Sequence, residues 1–567
     1  MKDNKQKLEL TWIGKHNPEY NIANIEPRIL QENPELSNCQ NDQNSENKII
    51  HGDNLLALKS LLPEFEGKIK CIYIDPPYNT GNAFEHYDDA VEHSTWLSLM
   101  KPRLELLRLL LSEDGSIFVH LDDNESDYLK VFMDEIFGRK NFVNRITIEA
   151  RSPSSFSTVN PGVFKSSEYI IWYAKDKNRF SENLIRIKRQ PNYAYNKWLY
   201  NPEDHFSGWK FATLNEIYEK EPKSKTNNPE RLLERYNSFI VKNSKHIWRS
   251  TEISESGAGK ATIEVKNRSI SNPDKVFIVE REKHDPIYIL NGCQISFYSK
   301  NVHEIDGERV ATSLLTNIWT DIAWEGIAKE GGVQFKRSKK PEKLIRRCLE
   351  LSSNENDFIL DSFLGSGTTA AVAHKMNRRY IGIEMGDHAY THCKTRLDKV
   401  IAGEQGGISK ALNWQGGGAY KFYELAPSFI AKDEFGNLVI DAFYNDAKLI
   451  QAMCKLMNFK YQPSQEQYWK HGVSSGKNYL FVTTQILTCA LVAQIASHLG
   501  ENESLIICSK NFESGAGKID ARIAVKKIPQ SVLKSCHFGK KEYLLPIKEN
   551  KALEELSQNE IEEENDQ

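Results

Sequence analysis

The chain has 567 residues, too many for one ordinary domain, with 40% hydrophobic and 27% charged residues and a net charge of −3. That balance describes a soluble globular protein of about three to four domains and takes no side on nucleic acid. Nine cysteines without one Cys-x-x-Cys pair indicate neither a zinc site nor a disulfide framework and suit a reducing, cytoplasmic setting.

The first seven residues are polar, with no apolar core behind them, so no signal peptide is expected. No apolar run approaches the ~20 residues of a membrane helix. Residues 1–47, rich in Asn, Gln, Glu and Pro, are expected as an arm or a loosely ordered helix. Lys48-Ile49-Ile50-His51 predicts a short strand ended by Gly52-Asp53, and residues 54–62 have helical apolar spacing closed by Pro63. Residues 69–74 cluster β-branched and aromatic side chains and predict a buried strand. It runs into Asp75-Pro76-Pro77-Tyr78, where two prolines without N–H groups stop the ladder. A polar, aromatic loop spans 79–93, a helix 96–111, a strand 116–121 ending in Asp122-Asp123, and a helix 125–137. This alternation predicts an α/β fold: a doubly wound, mostly parallel sheet.

From Arg151 the pattern changes to short strands with interleaved basic and aromatic residues, such as Arg189, Lys197, Trp198, Lys210 and Trp248. That mixture suits a nucleic-acid surface, or else an ordinary insert with a solvated face. The α/β pattern resumes near Pro341, with a helix at 342–352 and a strand at 358–363. A glycine turn at 364–369, a small-residue helix at 370–376 and a strand at 379–384 follow. Gly416-Gly417-Gly418 is read as a boundary before a mixed region to about 547 and an acidic tail. The expected layout is 1–47 arm, 48–150 and 316–402 as halves of one domain, 151–315 insert, 403–547 C-terminal domain and 548–567 tail. The hexapeptide at 255–260 recurs at 513–518, but neither copy has the spacing of a P-loop.

Two constellations carry chemistry. Asp75 stands at the C-terminal edge of a strand, where ligands of open α/β sheets bind, with a stiff bend and the Tyr78 ring behind it; a plain turn is the alternative. Asp75 and the Pro76 carbonyl can accept hydrogen bonds from an exocyclic amine, and Tyr78 can stack on a base. In the second, Gly365 and Gly367 let a ligand approach the backbone, and Glu384, about twenty residues on, is placed to grip ribose hydroxyls. Thr368-Thr369 in place of Gly-Lys-Thr argues against a nucleoside triphosphate.

Together, Asp-Pro-Pro-Tyr and Asp-x-Phe-x-Gly-x-Gly-Thr-Thr resemble the S-adenosylmethionine-dependent amino-methyltransferases of DNA. Catalytic motif before cofactor motif, with a long insert between, resembles the β group of adenine-N6 enzymes, a circular permutation of that fold. Gly52-Asp53-Asn54, Asn79-Thr80-Gly81 and Lys340-Pro341 are similar to modification subunits of type III restriction–modification systems. The resemblance implies site-specific methylation of adenine N6 in double-stranded DNA, read by a target-recognition insert. It implies a homodimer and a separate restriction ATPase-nuclease. It places Asp75, Pro76, Pro77 and Tyr78 in catalysis and no metal. Asp53 is to contact the cofactor's adenine, Asp361, Phe363, Gly365, Gly367 and Thr368 to line its pocket, and Glu384 to hold its ribose. Each has a plainer alternative: Asp53 as a helix cap, Phe363 as core, Asp361 as a strand end, and Lys340 as a solvated lysine rather than a contact to cofactor or phosphate. Cytosine-N4 methylation shares the chemistry. A specificity subunit that mainly recognises DNA, and an RNA methyltransferase, are further readings.

Overall fold

The apolar runs on either side of the insert join one sheet. The computed structural model describes residues 8–78, 92–151, 164–222, 227–282, 284–305, 307–335, 339–432, 438–440, 446–474 and 477–528. Asn79-Thr80-Gly81, most of the 79–93 loop, residues 152–155 and the acidic tail lie outside them. The sheet's elements in chain order are β1 (Leu30–Glu32), β2 (Lys48–His51), α1 (Asn54–Phe65), β3 (Ile69–Ile74), α2 (His93–Leu110), β4 (Leu111–Leu121), α3 (Ser126–Met133), β5 (Phe142–Glu149) and β6 (Ser167–Ala174). Then come β7 (Ile318–Trp319), α4 (Glu342–Ser352), β8 (Phe358–Asp361), α5 (Thr368–Lys375), β9 (Arg379–Glu384), α6 (Thr395–Ile401) and β10 (Lys421–Leu425).

Among the described residues the strand order is β1-β10-β2-β9-β8-β3-β4-β6-β5-β7. β10, β2, β9, β8, β3 and β4 run parallel, while β6 is antiparallel to both β4 and β5. The expected mostly parallel sheet is therefore present. From β3 the chain winds outward to β4; from β8 it winds the other way, to β9. The reversal falls between β3 and β8, which pair directly through Leu360 and Ile72. Such a switch point opens a crevice beyond the strands' C-terminal ends. Leu55, Leu58 and Leu61 of α1 and Leu104, Leu107 and Leu110 of α2 bury against Ile72 and Ile117 of the sheet, each contributing roughly 2–3 kcal/mol.

Several boundaries differ from the pattern. Helix α1 continues two residues past Pro63, because a proline in the last turn forfeits only one hydrogen bond. The N-terminal segment is no loose helix: β1 caps the sheet edge against β10, and the Trp12 indole donates to Ser98 Oγ at 2.8 Å. The Gly416-Gly417-Gly418 run does not end the sheet, since β10 follows it and pairs with β2. Gly418 has φ of +79°, and a Cβ there would meet His374 Nε2 at 2.4 Å, so the glycine admits that ring.

The chain divides into two compact units, one of 1–183 and 317–567 and one of 184–316. The composition change at Arg151 thus precedes the second unit, and β6 belongs to the first. The second unit has an antiparallel sheet in the order Val276–Val279, Ile287–Leu290, Cys293–Phe297, Ile247–Glu252, Lys197–Leu199, Phe211–Thr213. Trp198 and Trp248, read from the sequence as surface aromatics, are buried, while Arg189, Lys210 and Lys245 are exposed. Beyond β10, the strands Asn478–Leu487, Ser504–Phe512 and Ile523–Lys527 form a parallel set with its own core. No helix among the described residues is long and apolar enough to cross a membrane.

Candidate active site

β3 delivers Asp75 one residue past its end, and the two prolines turn the chain out of the ladder. The Trp96 indole N–H from α2 donates to the Pro77 carbonyl at 2.9 Å, fixing the bend from its second proline. Asp75 Oδ2 lies 3.1 Å from Lys340 Nζ. Asp75 Oδ1 is 4.0 Å from His120 Nδ1 and is buried with no hydrogen-bond partner among the described residues. Such an acceptor costs free energy unless a ligand donates to it.

Around Asp75, three neighbouring strands supply polar groups on one face. Tyr73 of β3 has its hydroxyl 2.8 Å from His120 Nδ1 of β4. His120 Nε2 lies 2.9 Å from Glu168 Oε2 of β6, and the Tyr78 hydroxyl donates to the same oxygen at 3.2 Å. Lys340 Nζ stands 3.8 Å from that oxygen and 4.7 Å from the centre of the Tyr78 ring. Burial pushes the Glu168 carboxyl up, but Lys340 and His120 outweigh it and hold the acid at about 2. Burial likewise pushes the Lys340 ammonium down, yet Asp75 and Glu168 leave it above the ordinary lysine value. Lys340 is no solvated lysine; its side chain is 11% exposed.

β8 and β9 supply the other half. Asp361 Oδ1 accepts from the Phe363 N–H at 2.9 Å and Oδ2 from Thr369 Oγ1 at 2.6 Å. Burial pushes Asp361 up to about 7, against those two bonds and with Asp75 and Glu384 adding to the rise. Glu384 accepts from the Gly365 N–H at 2.7 Å and the Gly386 N–H at 2.9 Å. Gly365 has φ of +55° with open space where a Cβ would stand, whereas a Cβ on Gly367, at φ +79°, would press on Cys393 Cα at 3.1 Å. The first glycine leaves room for a ligand; the second lets α5 approach the chain before α6. Thr368 opens α5 and accepts from Arg396 Nη1 at 2.7 Å. Phe363 is half-buried and, like Tyr78, packs against the main core.

Asp53 is held as a helix cap and as an ion-pair partner. Oδ1 caps α1 by accepting from the Leu56 N–H at 3.1 Å, and Oδ2 pairs with Arg103 Nη2 at 3.1 Å. The side chains are 2% and 0% exposed. Burial raises the Asp53 carboxyl despite Arg103. Next to it, Asn54 Nδ2 donates to the Ser362 carbonyl at 2.7 Å, tying the end of β2 to the end of β8. The ends of β2, β9, β8 and β3 are consecutive in the sheet, so Asp53, Glu384, Asp361 and Asp75 stand side by side although two come from before the insert and two from after it.

The family described as DNA methylase matches residues 69–238 and 192–395, a span of more than half the chain. The chain belongs to the DNA methylase family. This DNA methylase is 37% identical over 454 residues to a protein of Haemophilus influenzae named "Probable type III restriction-modification enzyme HindVI Mod subunit". That alignment covers 75% of this chain and 60% of the relative, so the chain spans less than two thirds of that relative's length. It is 26% identical over 496 residues to the type III restriction-modification enzyme EcoP15I Mod subunit of Escherichia coli, covering 76% of this chain and 73% of that one. A solved M1.HpyAVI–SAM complex aligns at TM-score 0.29 and 14% identity over 62% of this chain and 98% of that chain.

Four residues that position this candidate site give little signal in the sequence. Trp96 and Arg103 hide in an amphipathic helix among its other buried residues. His120 and Glu168 sit inside apolar strands, and a charged or titratable group in such a run is the one local signal they give.

Proposed function

We propose that the chain transfers a methyl group from S-adenosylmethionine to the N6 amine of adenine in double-stranded DNA, as the modification subunit of a type III restriction–modification system. The observation that carries this reading is the adjacency of two acids across the switch point, Asp75 on β3 and Asp361 on β8. Asp75 Oδ1 has no hydrogen-bond partner among the described residues, and the amine of an extruded adenine is a donor that fits it. Accepting from the amine, together with the Pro76 carbonyl, pulls the nitrogen toward tetrahedral geometry and exposes its lone pair. Tyr78 offers a ring for the extruded base.

The residues present fit the cofactor. Gly365 leaves open space at a positive φ, and Glu384, already oriented by two glycine N–H groups, retains acceptor capacity for ribose hydroxyls. Asp361, Phe363, Gly367 and Thr368 shape the turn around it. Asp53, through its cap on α1, holds the neighbouring rim. The bound cofactor would supply an electrophilic methyl on a sulfonium; the chain's own residues orient the amine.

In this reading the two halves of the methyltransferase fold follow one another in circularly permuted order. The unit at 184–316 is the inserted target-recognition domain, whose exposed Arg189, Lys210 and Lys245 suit phosphate contacts. The names of the Mod relatives support a restriction ATPase-nuclease as partner, and the region after β10 is the place for that contact or for a homodimer.

The test is transfer of tritium from labelled S-adenosylmethionine to plasmid DNA from a methylation-deficient host, followed by nucleoside analysis. N6-methyladenine is expected. N4-methylcytosine would overturn the adenine assignment, and unlabelled DNA would overturn the activity.

A further inference from the structure

Lys340 sits where an amine-activating site has most to gain from a fixed charge. Its ammonium bridges two carboxylates, Asp75 Oδ2 at 3.1 Å and Glu168 Oε2 at 3.8 Å, and covers the Tyr78 ring at 4.7 Å. Without that cation, Asp75 and Glu168 would face each other as like charges behind a bend that the prolines cannot relax. The second carboxylate is itself anchored: Glu168 is 10% exposed and tied to His120 and the Tyr78 hydroxyl. Lys340 is thus held from three sides, by β3, by β6 and by the aromatic ring that follows the bend.

This arrangement sorts the two oxygens of Asp75. A carboxylate turns easily about its terminal bond, so an isolated Asp75 would present either oxygen, in many orientations, to an amine. Lys340 takes Oδ2, and Oδ1 is left as the one acceptor without a hydrogen-bond partner among the described residues. We propose that Lys340 is a positioning residue for methyl transfer: by pinning Asp75 Oδ2 against Glu168 and Tyr78, it fixes the plane in which Asp75 Oδ1 meets the target amine. The proposal rests on the methyltransferase reading above and assigns a role beyond it. The burial of Lys340 and its pairing with two acids oppose its use as a DNA-phosphate contact, which needs an exposed cation.

A positioning role acts on turnover rather than on binding. Lys340→Met, close to lysine in length, is expected to lower single-turnover methylation of plasmid DNA by about 100-fold or more. Its dissociation constants for S-adenosylmethionine and for DNA should stay within about threefold of the unsubstituted chain. Lys340→Ala should lose as much and regain turnover in ethylammonium chloride, which returns an ammonium to the vacated space, but not in propanol. Recovery with the amine alone supports the proposal even if the methionine chain folds poorly. Full turnover in Lys340→Met, or weakened DNA binding with unchanged turnover, overturns it and leaves the methyltransferase reading intact. Absence of methyl transfer by the unsubstituted chain overturns the methyltransferase reading itself, and this role with it.

Discussion

Asp75 and Asp361 stand at the ends of paired strands yet are held by opposite means. Asp75 meets charge: Lys340 on one oxygen, with His120 and Glu168 close by. Asp361 meets neutral donors, a threonine hydroxyl and a backbone N–H, and Glu384 beside it meets two more N–H groups. Buried ion pairs depend on every partner staying in place, because removing one leaves an unpaired charge. Backbone donors come with the path of the turn and survive most side-chain changes. The Asp75 half should therefore break at single charges, and the Asp361 half at the shape of its glycine turn.

The largest effect separating the halves is expected from Asp75→Ala. Turnover should fall by about 10³-fold or more, with cofactor and DNA binding retained in calorimetry and gel-shift assays. Turnover within tenfold of the parent would remove Asp75 from the site. Asp53→Ala tests whether charge at this edge is structural: it strips the cap of α1 and removes the carboxylate paired with the buried Arg103, which keeps its bonds to Asn54 Oδ1 and the Leu99 carbonyl. Urea denaturation should report a loss of about 3–5 kcal/mol, and a loss under about 1 kcal/mol would mean that the pair does not hold the rim.

Asp361 gives a pH-dependent contrast. Its folded value of about 7 lies above the unfolded one, so its contribution to stability is full below about pH 4 and is lost as pH rises through 7. Asp361→Asn carries no charge to bury; its Oδ1 can accept from the Phe363 N–H, and its Nδ2 can donate to Thr369 Oγ1 in place of the bond that the carboxylate accepts. It should be more stable than the parent by roughly 4 kcal/mol at pH 8 and equal to it near pH 4. Thermal melts at the two pH values decide this, and a constant difference would trace the effect to packing. The mildest change is Glu384→Gln, which keeps an acceptor but loses the carboxylate. It should weaken cofactor binding about tenfold, near 1.4 kcal/mol, with turnover at saturating cofactor little altered. A drop in turnover at saturation would give Glu384 a part in the Asp75 half.

Much of the sheet could be read before any coordinates. Strand β9 falls where its apolar run predicts, at Arg379–Glu384, and helix α4 fills 342–352 as its spacing requires. The errors cluster where long-range pairing overrides local pattern. Three glycines at 416–418 look like a break, yet they make room for His374 and lead into a sheet strand. Basic and aromatic residues in the insert look like one surface, yet the indoles of Trp198 and Trp248 are core.

The sequence alone determined the two motifs, their strand-end positions and the order in which they occur, because prolines, glycines and β-branched runs act over a few residues. It also carried the likeness to DNA methylases that the family match bears out. Only the tertiary structure decided which oxygens are spoken for. Asp53 caps a helix and pairs with Arg103, Lys340 is a largely buried cation between two acids, and Glu168 joins the Asp75 environment from a strand far along the chain. Partnership at that range depends on strand order and sheet face, and no local run of residues encodes which strand will lie alongside.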